Sequence, residues 1–250
     1  MLDAANSTAE STRCLNCASV LHGPFCSQCG QEHSAGPVSL REYVRDVLDD
    51  LGEFDSKLFR SLWPLVAKPG FLTLEFLAGK RVSYLLPSRF YILVSIVFFF
   101  LVNHFDPVTV EAMGAGSLGM EPRMVAGINE AMADLLPPFM LAVIPAFAGG
   151  LWLVYVRRGL YFTYHLTFAF HFFAFVFALF ALPVLTGSDA LWNLAFLGVF
   201  AYLFLALRRV YAQSVAKMLL KTGLLYVHFW VLLLFYFGFV FLVARVQTGV

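Results

Sequence analysis

Charge is what this chain has least of. Only 13% of its 250 residues are Asp, Glu, Lys or Arg, about half the share of a soluble domain (about 25%). With 60% hydrophobic residues and a mean hydropathy of +0.77, that shortage excludes an ordinary water-soluble fold. Cysteine is scarce too: four residues, all between positions 14 and 29. The polar opening MLDAANSTAESTR has no apolar core and no cleavage pattern, so no secretory leader is expected. Thiols in two close pairs on an unexported segment point to thiolates rather than disulfides. No P-loop, nucleophile elbow or HExxH motif stands in the sequence, which leans the reading away from an enzyme.

What is present is apolar and long. A helix needs about 20 mostly apolar residues to span a bilayer, and five stretches qualify: about 86–105, 137–156, 163–185, 191–207 and 223–244. Inside them there is no Asp or Glu, which argues against proton relays, cation pathways and membrane di-metal chemistry. The segment up to Arg89 holds nine of the seventeen basic residues. Loop 106–136 has Arg123 against Asp106, Glu111, Glu121, Glu130 and Asp134; Arg157 and Arg158 fill the next loop, Asp189 the one after, and Arg208, Arg209, Lys217 and Lys221 the last. Basic loops therefore alternate with non-basic ones. The positive-inside rule then predicts an N-terminus in the cytoplasm and a C-terminus outside. Val125, Ile128, Met132 and Leu135 share one helical face, predicting a short amphipathic helix before Pro137 and Pro138.

Ahead of the first span the chain reads as a tail (1–13), a cysteine module (14–33) and a set of interfacial amphipathic helices (38–85). Ser39 and Glu42 form a capping box, and Leu40, Tyr43, Val44, Val47, Leu48 and Leu51 recur at helical spacing. Leu58, Phe59, Leu62 and Trp63 continue the apolar face to Pro64, and a third short helix runs from about 71 to 78 and ends at Gly79. Too charged to span, these helices are expected to lie with the apolar face toward lipid.

The cysteine module, CLNCASVLHGPFCSQCG, holds two Cys-x-x-Cys turns. Each presents two sulfurs to one ion, so Cys14, Cys17, Cys26 and Cys29 predict a tetrahedral, structural zinc ribbon with no open position for catalysis. Gly30 sits where a turn with positive φ is needed. A segment this short cannot bury a core, so the metal supplies the folding energy, about 10–16 kcal/mol in comparable peptides. His22 and His33 are spare, His33 being the better substitute ligand. Residues 14–30 contain no Lys or Arg, which disfavours nucleic acid and favours a protein partner.

Two further groupings stand out. Lys80, Arg81, Tyr84 and Arg89 (with Tyr91) fall at the expected headgroup level, where each basic residue attracts anionic lipid by about 1 kcal/mol. Tyr164, Thr167 and His171 share a stripe on the third span, and Lys221 and His228 lie seven apart on the fifth. At roughly 12 and 9 Å from their helix ends, His171 and His228 predict a polar cleft open to the cytoplasm.

CLNCASVLHGPFCSQCGQ, FLAGKRVSYLLPSRFY, YHLTFAFHFFAF and ALRRVYAQS, in that order, resemble an uncharacterised family of bacterial inner-membrane proteins. Its members pair an N-terminal zinc ribbon with a multi-pass helical body and are described as a domain of unknown function. The resemblance implies the four cysteines as ligands, a motif at Gly79, Lys80, Arg81, Tyr84 and Pro87, a histidine pair at His165 and His171, and a location in the bacterial cytoplasmic membrane. It implies no activity. The fold expected is thus an all-α integral membrane protein of about five spans, preceded by interfacial helices and a small four-cysteine zinc ribbon. The function expected is a non-enzymatic adaptor or regulator that binds a cytosolic protein; the alternative is a lipid- or small-solute-handling protein using the cleft.

Overall fold

The computed structural model describes residues 13–33, 55–105 and 120–249. The tail and the 39–51 helix with its Ser39–Glu42 capping box lie outside the described residues. Two short helices, α1 (Asp55–Ala67) and α2 (Phe71–Leu77), precede five long ones: α3 (Pro87–Phe105), α4 (Pro122–Tyr155), α5 (Phe162–Thr186), α6 (Asp189–Tyr211) and α7 (Val215–Thr248). Each long helix is extended and apolar enough to cross a membrane. The protein is an all-α, multi-pass membrane-type body carrying a four-cysteine cluster at its front.

The most enclosed span is α5, which packs on α3, α4 and α6. Its interior is aromatic. Phe177 stacks on Phe98 at 4.8 Å and lies beside Tyr91 and Phe99, while Phe175 stacks on Tyr202 at 3.5 Å. Water adds no driving force between helices in lipid, so such interlocking rings and a few side-chain hydrogen bonds hold the bundle. Outward faces are equally apolar: Ile96 and Phe100 of α3 and Leu234 and Phe235 of α7 are among the most exposed residues. In water that surface would drive association; in a bilayer it is the lipid face.

The amphipathic segment expected before Pro137 and Pro138 is not a separate helix. It is the first part of α4, which continues through Pro137, Pro138 and Pro145. Proline removes a hydrogen bond, but tertiary packing carries the helix across. Met124, Ile128, Ala131 and Met132 lock onto Tyr236, Val240 and Ala244 of α7, and Gly127 admits Ala244 and Thr248 closely. Side chains also donate to α4 carbonyls: Tyr236 to Met132, Tyr91 to Met140 and His228 to Ala146, at 3.2, 2.8 and 3.2 Å. With 34 residues each, α4 and α7 are about 51 Å long and exceed the hydrocarbon thickness of about 30 Å.

Helices α1 and α2 form a hairpin that packs on the bundle. Leu65 and Leu72 join the main core. Tyr202 of α6 donates to the Leu65 carbonyl at 2.8 Å, and Thr73 pairs with His171 of α5 at 3.1 Å. The turn between them is set by Gly70, whose φ of 75° opens α2. Phe59, Trp63 and Val66, on the opposite face of α1, stay exposed at 75%, 70% and 52%. One face of α1 thus serves the protein core and the other is suited to lipid.

Candidate metal centre and the junction that holds it

The two cysteine turns have the same construction. In the first, the Ala18 N–H donates to the Cys14 carbonyl and the Cys14 N–H to Ser19; in the second, Gly30 donates to Cys26 and Cys26 to Gln31, all at 2.8–2.9 Å. Single bridges Arg13–Val20 and Phe25–Glu32 flank them. Both turns need a left-handed residue after the second cysteine. Gly30 supplies it at φ 72°, as its position predicts, whereas the first turn uses Ala18 at φ 62°, a choice no glycine announces.

This geometry gathers the four sulfurs within 4.8 Å of one another. Cys14 Sγ lies 3.5 Å from Cys29 Sγ, and Cys17 Sγ 3.5 Å from Cys26 Sγ. A tetrahedral ion bonded to sulfur at about 2.3 Å needs sulfurs about 3.8 Å apart, so the set can hold one metal ion. His22 and His33 are not needed to complete it. The Ser19 hydroxyl sits 2.9 Å from Cys17 Sγ and 3.0 Å from Cys26 Sγ. That contact, helped by backbone N–H groups, pulls Cys26 down to about 6 and lowers Cys17; desolvation pushes Cys29 up to about 11. Some thiolate is therefore available near neutrality, which metal binding requires.

The module does not hang free. Gln31, only 7% exposed, reaches the chain between α2 and α3. Its Nε2 donates to the Gly79 carbonyl at 2.7 Å and its Oε1 accepts from the Arg81 N–H at 3.1 Å. Ser83 donates to Asn16 at 2.8 Å. Gly79, at φ 85°, lets Leu15 come so close that a Cβ would stand 2.6 Å from Leu15 Cδ1. The side-chain amide thus caps two backbone groups at a turn that has no secondary-structure partner of its own. Gln31→Leu leaves both unsatisfied, at about 2 kcal/mol. We expect tryptic cleavage at Lys80 and Arg81 to quicken by roughly an order of magnitude or more, read by limited proteolysis of the full-length protein.

The residues singled out at the headgroup level gather here. Lys80 pairs with Glu75 at 2.7 Å, Arg81 lies over the Phe76 ring at 5.9 Å, and Tyr84 meets Phe71 edge-on at 6.0 Å. Arg89, in the first turn of α3, is half-buried. The contacts of Lys80, Arg81 and Tyr84 tie α2 to the junction. Surface pairs of this kind contribute little each, so their effect is orientation.

The cleft residues are dispersed among different partners. His171 is buried against Thr73, next to buried Thr167 in the same helix. His228 meets Ala146 across α4, its ring fitting where Gly150 lacks a side chain. Lys221 rests its ammonium 3.7 Å above the Tyr155 ring, and Tyr164 meets Tyr161. His165 bonds Tyr211 through Nδ1 at 2.7 Å. Gln31, Asn16 and Thr73 make docking contacts that sequence reasoning missed. Their partners are 48, 67 and 98 residues away, and no local period marks such contacts.

No curated protein and no solved structure matches the chain. Residues 55–99, the stretch of α1, α2, the junction and most of α3 on which the cysteine module docks, are similar to a family described as a protein of unknown function, DUF3667.

Proposed function

We propose that this protein is a non-enzymatic membrane adaptor or regulator, in which five spans hold a structural zinc ribbon at the cytoplasmic face for contact with a protein partner. The observation that carries the reading is the Gln31 clamp, which fixes the ribbon on the junction. A fixed ribbon meets its partner without the entropic cost of ordering a tethered one. Outside the clamp, Val20 and Phe25 remain 49% and 60% exposed, an apolar pair suited to protein contact. Four thiolates fit zinc and leave it no position for substrate. The positive-inside rule supports a cytoplasmic N-terminus, and the family resemblance supports a bacterial cytoplasmic membrane. The adaptor reading is further supported over a solute cleft because His171 and His228 are each engaged within the protein.

The test is co-purification of the full-length protein from its native membrane, with Phe25→Asp, Cys14→Ser and His171→Ala beside the wild type. A protein partner retained by His171→Ala and lost from both ribbon variants is the expected result. A partner indifferent to Phe25→Asp and Cys14→Ser, or one lost only with His171→Ala, would move the function into the helical body.

A further inference from the structure

The ribbon-side ends of α4, α5, α6 and α7 converge on a stack of rings. Tyr155 and Tyr211 lie face to face at 3.8 Å, and His165 stacks beside both. Lys221 sits above this stack, held by the Tyr155 ring face. Lys217 lies one turn before it on α7, and Arg158 follows Tyr155 by three residues at the end of α4. Among the described residues no carboxylate pairs with these three cations. Three cations at one end of the bundle attract an anion.

One turn deeper, the chemistry changes. Leu225, four residues from Lys221, opens a furrow between α5, α6 and α7 with apolar walls that include Phe173, Phe196, Phe229 and Leu233. Its rim residues Phe196 and Trp230 are each 43% exposed, so it opens toward the lipid face. From Lys221 to Leu233 is about 18 Å along α7, close to the depth of one leaflet, about 15 Å.

We propose that this is a specific site for one anionic glycerophospholipid, its phosphate among Arg158, Lys217 and Lys221 and one acyl chain along the furrow. The cations select the charge, and the apolar walls select a lipid over free phosphate. Neither the ribbon nor its partner enters this inference. Binding would brace α6 against α7, which pack on each other less extensively than α4 does on α7.

The test is native mass spectrometry of the full-length protein from micelles containing equimolar phosphatidylglycerol and phosphatidylcholine. One retained phosphatidylglycerol is expected. The triple variant Arg158→Gln, Lys217→Gln, Lys221→Gln should weaken its retention by about a hundred-fold, summing three headgroup contacts. Leu233→Trp, which fills the furrow and leaves the cations in place, should also release it, while glycerol 3-phosphate at equal concentration should not. Equal retention of the two lipids, or no change in the triple variant, would overturn the headgroup site. Displacement by glycerol 3-phosphate, or an indifferent Leu233→Trp, would overturn the chain furrow. Because the ribbon is intact in every variant, loss of this site would leave the adaptor reading standing.

Discussion

Cys14→Ser is expected to abolish metal binding and unfold residues 13–33, leaving the five-span body folded. The module has no core of its own beyond Cys14 and Cys26, and its hydrogen bonds are the few that shape the two turns. Metal coordination of about 10–16 kcal/mol in comparable peptides is therefore the larger part of its stability. Removing one of four ligands also frees the Gln31 clamp, because Gln31 is placed by the second cysteine turn, through the Cys26 N–H bonded to its carbonyl. Metal analysis of the purified variant should give less than one ion per chain, against one for the wild type. The helical circular dichroism should barely change, since no long helix depends on the ribbon. A variant that keeps its metal would mean that a histidine, His33 first, takes the fourth position.

Gly70→Ala is expected to destabilise the body by about 3 kcal/mol. Alanine at φ 75° costs about 1–2 kcal/mol, and its Cβ would stand 2.9 Å from the Ala206 carbonyl and 3.1 Å from Val210 Cγ2. Overpacking against a backbone adds a further cost of about 1–3 kcal/mol. The strain falls on the α1–α2 turn, so the hairpin should lift from α6, breaking the Tyr202–Leu65 and Thr73–His171 bonds together. Gly149→Ala is the control, for a Cβ there meets nothing within 4 Å and alanine is the better helix former. Thermal unfolding in detergent reads both. An unchanged midpoint for Gly70→Ala would mean that the hairpin is not packed on α6.

Much of this architecture is written in local patterns. Long apolar runs mark the five spans, because each must satisfy its own backbone bonds within the bilayer. The Cys-x-x-Cys spacing marks the ligand set, because two sulfurs of one tight turn reach one ion. What local pattern conceals is which apolar face meets protein and which meets lipid. Phe59 and Trp63 of α1 look as core-like as Leu65, yet Leu65 is buried and they are exposed. Prolines mislead for a related reason: Pro137 and Pro138 read as a stop, but cross-helix packing at Met132 and Phe139 continues α4 through them. The site residues were legible in proportion to how local their chemistry is. Four cysteines announce a ligand set, whereas Gln31, an unremarkable polar residue after a turn, becomes a clamp only when the junction 48 residues on is folded beneath it.

The central claim is that a metal-held ribbon is fixed on the membrane body through that clamp. Hydrogen exchange of the full-length protein, with and without a chelator, tests it most directly at the Arg81 amide, which Gln31 Oε1 covers. Stripping the metal should speed exchange at Arg81 and throughout the cysteine turns while α5 stays protected. Arg81 exchanging equally fast with metal present, or staying protected after the metal is gone, would contradict the account.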